Sequence, residues 1–127
     1  MITIQASVGE VLDKISILVL KKEKLEKPEA VENVSKELDA LYSAISSLQM
    51  EESLSHPLFG ALAEVNRKLW VVEDDLRELE SKRTFNSDFI ELARSVYRLN
   101  DRRAAIKREL NVIYGSALVE EKSYQPY

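Results

Sequence analysis

Arg103 stands in a place where chemistry is needed to keep it there. It falls in an otherwise apolar series, Phe89, Leu92, Val96, Leu99, Arg103, Ile106, Leu110 and Ile113, which repeats with helical spacing. A guanidinium on such a face requires a carboxylate or an anionic ligand, because an unpaired buried charge is strongly destabilising. Asn100 and Lys107 flank it three residues before and four after, so the three form one polar patch. On the preceding helical stretch, Asn66, Glu73 and Arg77 lie beside an apolar series, with Trp70 next to them. Glu73 sits nearest the seam, and the spacing predicts a Glu73–Arg103 ion pair between the two helices. The alternative is that the Arg103 stem lies along the apolar surface and its head reaches water. The chemistry on offer is anion binding, with Asn66, Trp70, Glu73, Asn100, Arg103 and Lys107 as the candidate ligand-binding residues.

The charge distribution points the same way. Net charge is −4, yet Arg94 to Arg108 holds six basic residues and one acid, a local +5 that leaves −9 for the rest. Such a dipole suits an anionic small molecule, an acidic partner or the acidic surface of a second copy, and it disfavours nucleic acid. A basic helix face standing in water accounts for the same residues. Glu73, Asp74 and Asp75 are consecutive, so on a helix they point about 100° apart and do not share one metal. No metal site and no cofactor is expected. A magnesium site would need Glu73 with acids from another helix, such as Glu10 and Asp13. Those two project away from the Val8/Ile15 stripe of their own helix, which predicts a solvated pair. Glu10-x-x-Asp13 resembles one acidic element of the all-α nucleotide pyrophosphatases. The second such element is matched only by Asp75-x-x-Glu78, in reversed order. His56, just before Pro57, reads as a helix cap.

Composition removes several classes. With no cysteine there are no disulfides, thiolate metal sites or cysteine nucleophiles. One histidine argues against a His-rich metal site or a Ser-His-Asp triad. Three glycines leave no room for a phosphate-cradling loop. Met1 to Ala6 has no basic leader, and the longest apolar run, Ile15 to Leu20, is broken by Ser16 and too short to span a bilayer. A cytoplasmic protein without membrane association is expected.

The elements that must position these residues are all helical. A chain of 127 residues, 45% hydrophobic and 31% charged, reads as one domain, residues 1–127. Ile2, Ile4 and Ala6 alternate with polar residues, which predicts an extended arm or a short strand. Ser7-Val-Gly-Glu10 reads as a capping box. Helices are predicted over about 8–26, 29–48, 57–80 and 88–114, with Pro28 and Pro57 at two starts and Gly115 at the last stop. The polar stretch from Gln49 to His56 reads as a loop, and Asn86 or Ser87 as the last cap. Short links predict two antiparallel hairpins in an up-down four-helix bundle, followed by a C-terminal tail. The first helix is apolar on two faces, so it is either central or covered by a partner. A homodimer through Ile17 and Leu20 is the expectation, with Val119 and Tyr124 of the tail as further interface candidates.

Four stretches carry a family resemblance: Ser7-Val-Gly-Glu-Val-Leu-Asp-Lys-Ile15, Leu69-Trp-Val-Val-Glu-Asp-Asp-Leu-Arg77, Glu91 to Ala104, and Gly115 to Tyr124. Together they resemble an uncharacterised family of short bacterial and phage proteins, a domain of unknown function, over nearly the whole chain. The resemblance implies no activity, but it draws attention to Glu10, Asp13, Trp70, Glu73, Asn100, Arg103, Lys107 and the Glu120-Glu-Lys-Ser-Tyr124 run. Two functions are expected. One is a non-enzymatic binding or adaptor protein presenting a basic patch of the fourth helix to an acidic partner or anionic ligand. The other is a small, magnesium-dependent enzyme acting on a phosphorylated or sugar-nucleotide substrate, in which Arg103 and Lys107 hold the anion and Glu73 is the acid/base or metal ligand.

Overall fold

A computed structural model describes residues 1–115. The tail candidates Val119 and Tyr124 lie outside the described residues. Four α-helices follow in order: α1 (Val8–Lys24), α2 (Pro28–Ser47), α3 (Pro57–Ser81) and α4 (Ser87–Ile113). The stretch read as a loop after α2 contains a 3₁₀ turn, Glu51–Ser55, whose Ser53 is buried. No strand forms among the described residues. The N-terminal stretch, read as an extended arm or a short strand, is an arm without regular structure, and Ile2 and Ile4 are exposed.

Local chemistry sets the helix ends. Ser7 caps α1, its Oγ accepting from the Glu10 N–H at 3.2 Å. Pro28 and Pro57 sit in the first turns of α2 and α3, where a missing N–H does no harm. His56 caps α3, its Nδ1 accepting from the Leu58 N–H at 3.0 Å. Asn86 caps α4, its Oδ1 accepting from the Phe89 N–H at 3.1 Å. Gly115, at φ 64°, follows the last helix as a left-handed stop.

The helices form two hairpins with α1 as the shared element: it touches α2, α3 and α4, while α3 and α4 pair with each other. One face of α1 sets Leu12, Ile15 and Leu18 into a core with Leu38 and Ile45 of α2, Leu62 and Val65 of α3, and Ile106 and Leu110 of α4. Each fully buried Leu or Ile there contributes about 1.5–3 kcal/mol. The second face of α1 runs Gly9, Asp13, Ser16, Leu20, and all four are buried. Leu20, expected at a contact between chains, is therefore covered within its own chain, and Ile17 is half-buried. The central position of α1 explains its two apolar faces without a second copy.

Candidate functional site

The site is built where the second face of α1 meets α3 and α4. Gly9 makes the meeting close: a Cβ there would come within 2.4 Å of the Lys107 carbonyl oxygen. Its N–H donates to Asn111 Oδ1 at 2.7 Å, tying the first turn of α1 to the last turns of α4.

One turn on, Asp13 is 1% exposed and lies at the junction of three helices. Arg103 reaches it from α4 with two hydrogen bonds: Nε donates to Oδ1 at 2.9 Å and Nη2 donates to Oδ2. Asn66 reaches it from α3, Nδ2 donating to Oδ1 at 2.9 Å and to Ser16 Oγ at 2.8 Å. The Ser16 hydroxyl donates to the Asp13 carbonyl at 2.7 Å. Lys107 is buried beside them, its Nζ 2.8 Å from Glu10 Oε2 and 4.0 Å from Asp13 Oδ2. A carboxylate so far from water is tolerable only because charge and hydrogen bonds meet it on both oxygens.

Two expectations are corrected here. The partner of Arg103 is Asp13, not Glu73. Glu10 and Asp13 are not a solvated pair: Asp13 is buried under α3 and α4, and Glu10 turns to Lys107. The acidic element that resembled a metal-binding pair is thus occupied by cations of its own chain. Among the described residues, no group of three His or carboxylate side chains gathers as metal ligands.

Arg103 also forms part of the wall of a cleft of about 550 Å³ between α1, α3 and α4. Its side chain is 27% exposed, against 2% for that of Asp13. Asn66, Trp70, Glu73 and Arg77 line the cleft from one face of α3, stepping four, three and four residues. Asp74 and Leu69 adjoin them, Asn100 joins Arg103 from α4, and Ile17, Leu20 and Lys21 come from α1. Five of the six candidate residues therefore share one cleft. Lys107 is the exception, because its inward direction carries it to the Glu10 and Asp13 side. The basic patch of α4 divides accordingly. Arg94, Arg98, Arg102 and Arg108 are exposed, whereas Arg103 and Lys107 turn into the bundle. Arg94 lies 3.0 Å from Glu91, and Arg98 covers the Tyr97 ring at 5.8 Å. A second, apolar hollow between α3 and α4 is lined by Val71, Val72 and Leu99 and holds none of the candidates.

Carboxyl groups with displaced titration lie on the outer surface. Lys68 holds the Glu64 carboxyl below its ordinary value by a hydrogen bond and by charge, and Lys82 does the same for Glu78.

Asp13 was missed as the centre of the site because its own helix hides the reason for its burial. Gly9 and Ser16, small residues four before and three after it, are the signal of a close helix approach on that face.

Fold and site together define a small all-α protein with a buried carboxylate–guanidinium pair beside an open cleft. The chain belongs to a family of unknown function (DUF6165), which matches residues 2–127. No curated protein and no solved structure matches it. No helix among the described residues is long and apolar enough to cross a membrane.

Proposed function

We propose that the protein is a non-enzymatic binding module whose cleft takes an anionic ligand, or the acidic group of a partner, at Arg103. One observation carries this reading: the guanidinium in the cleft wall is gripped by a buried carboxylate that fixes its direction. A surface arginine used only for solubility has no need of such a support. Lys21 and Arg77 bring positive charge to the same cleft, against the carboxylates of Glu73 and Asp74.

The test is thermal unfolding against phosphate, carboxylate and nucleotide anions at fixed ionic strength. A ligand at about 100 times its dissociation constant stabilises by about 2.7 kcal/mol, a rise of several degrees for a domain of this size. A flat response across the panel overturns the small-molecule form of the reading. The second reading, an enzyme acting on a phosphorylated or sugar-nucleotide substrate, draws on Glu73, whose carboxyl lines the same cleft. Turnover with magnesium present, abolished by Glu73→Gln, would establish it over the first.

The reading includes a cytoplasmic homodimer. Phe85, Ile90 and Val71, each at least half exposed, supply apolar surface for such a contact. Sedimentation equilibrium at micromolar concentration decides this part, and a monomer mass removes it.

A further inference from the structure

We infer that α4 pairs with α4 of a second copy, antiparallel and crossing at Ser95, so that the acidic first half of each helix lies on the basic second half of the other. The inference rests on the dimer part of the reading above and assigns the face that makes the contact.

The hairpin of α3 and α4 is left half-covered. Among the described residues, none from 67 to 105 is buried. Yet the seam there is apolar: Val72, Leu76 and Leu79 of α3 and Leu92, Val96 and Leu99 of α4 are all half-buried. A two-helix layer needs a further element to close such a seam. Residues of α1 stand over the cleft side. The hollow on the other side, floored by Val71, Val72 and Leu99, is lined among the described residues by α3 and α4 alone.

The charges on that side say what covers it. Asp88, Glu91, Ser95, Arg98 and Arg102 step by three and four residues, so they share one face of α4, with Leu92 and Leu99 beside Ser95. The four charged residues are exposed, and Leu92, Ser95 and Leu99 are half-buried. Along the face the order is two acids, one small residue and two bases. A twofold axis through Ser95 lays this face on itself with the signs reversed. Asp88 then comes opposite Arg102 of the second copy, Glu91 opposite Arg98, and Leu92 opposite Leu99. The small Ser95 side chain at the crossing lets the two helices approach closely.

A parallel pairing would set acid on acid and base on base. An acidic peptide of another protein would answer Arg98 and Arg102 but repel Asp88 and Glu91. A surface carrying both signs in the opposite order satisfies both halves, and a second copy turned end for end is such a surface. Glu91 already meets Arg94 within its own helix at 3.0 Å. Both side chains of that pair are more than half exposed, and such a contact is worth little, so it yields to a partner across the interface.

The chain has no cysteine, so a single introduced thiol forms a disulfide only between copies. The first experiment oxidises the full chain carrying Ser95→Cys and, separately, Ala105→Cys, and reads the mass without reductant. Ser95→Cys should cross-link, because the axis brings its two copies together. Ala105→Cys should stay monomeric, because the axis sets its two copies about 30 Å apart along the helices, at about 1.5 Å per residue. Equal cross-linking of the two, or cross-linking of Ala105→Cys alone, overturns the inference. The second experiment is sedimentation equilibrium of charge variants. Arg98→Glu and Glu91→Arg should each weaken self-association at least tenfold. Mixed together, the two variants should form a heterodimer, since each supplies the charges that the other lacks. A wild-type dimer that neither substitution weakens overturns the inference and leaves the dimer reading to another face. A wild-type monomer at every concentration overturns both, and the anion-binding reading stands apart from them.

Discussion

Gly9 rests against the backbone of Lys107, across 98 residues of chain, with no space for a side chain between them. Alanine there would gain about 1 kcal/mol of helix propensity. It would also force two helix backbones apart, and overpacking of that kind costs about 1–3 kcal/mol. The obstacle is a carbonyl oxygen, which no rotamer change removes, so the loss wins. Gly9→Ala should lower the unfolding midpoint. Gly60 is the matched control: it is also helical, and a Cβ there meets nothing within 4 Å. Gly60→Ala should raise the midpoint by the propensity gain, about 1 kcal/mol. Equal shifts in the two variants would contradict the close approach.

The Asp13–Arg103 pair makes a sharper prediction. Asp13→Leu leaves the guanidinium without its carboxylate and should cost about 3–5 kcal/mol. Asp13→Leu with Arg103→Met replaces the pair by apolar groups of similar reach and should recover most of that loss. Chemical denaturation of the four proteins of this cycle gives the coupling directly. The double variant should fold and show none of the ligand-induced shifts in midpoint. A double variant as unstable as the single one would mean that the network around Asn66 and Ser16 needs the charge itself.

Asn111 holds the other end of the same face. Its Oδ1 accepts from Gly9, and its Nδ2 is buried without a partner among the described residues. Asn111→Ala leaves the Gly9 N–H unsatisfied, a loss of about 1–3 kcal/mol. Hydrogen exchange should show the Gly9 amide losing protection more than the amides of Leu18 or Leu20.

The acid limb of stability should carry a small surface contribution. Glu64 and Glu78 titrate below their ordinary value because Lys68 and Lys82 stand one turn away. A depressed carboxyl contributes stability above its unfolded pKa and loses it as pH falls through the folded one. Both groups are fully exposed, so the effect is screened by salt. Carboxyl-carbon NMR of Lys68→Ala should show Glu64 moving back up toward its ordinary value while Glu78 stays in place.

Much of this was legible in residue spacing. The four helices follow from long apolar stripes, and their ends follow from Ser7, Pro28, Pro57, Asn86 and Gly115, each of which acts within its own turn. Arg103 stood out because a charge in an apolar series must be explained. Its partner did not, because the choice between Glu73 and Asp13 depends on which face of α1 looks toward α4. That is a tertiary fact, and a two-faced apolar helix is equally consistent with a central place and with a dimer contact. The burial of Leu20 within its own chain is a consequence of the same arrangement. The inward direction of Lys107 depended on the same choice, since its partners Glu10 and Asp13 both lie on that hidden face.

The contacts that close the site are among the most remote along the chain. Asp13 meets Arg103 across 90 residues, and Gly9 meets Asn111 across 102. Each hairpin is local and quick to form, whereas joining distant segments carries a larger loop-closure cost. The cleft therefore comes into being only when the last hairpin docks on the first. A chain released from synthesis before α4 is complete has its first three helices and no site at all. The cleft itself is a readout of completed assembly, and a ligand that filled it would act as a clasp on the joining of the two hairpins.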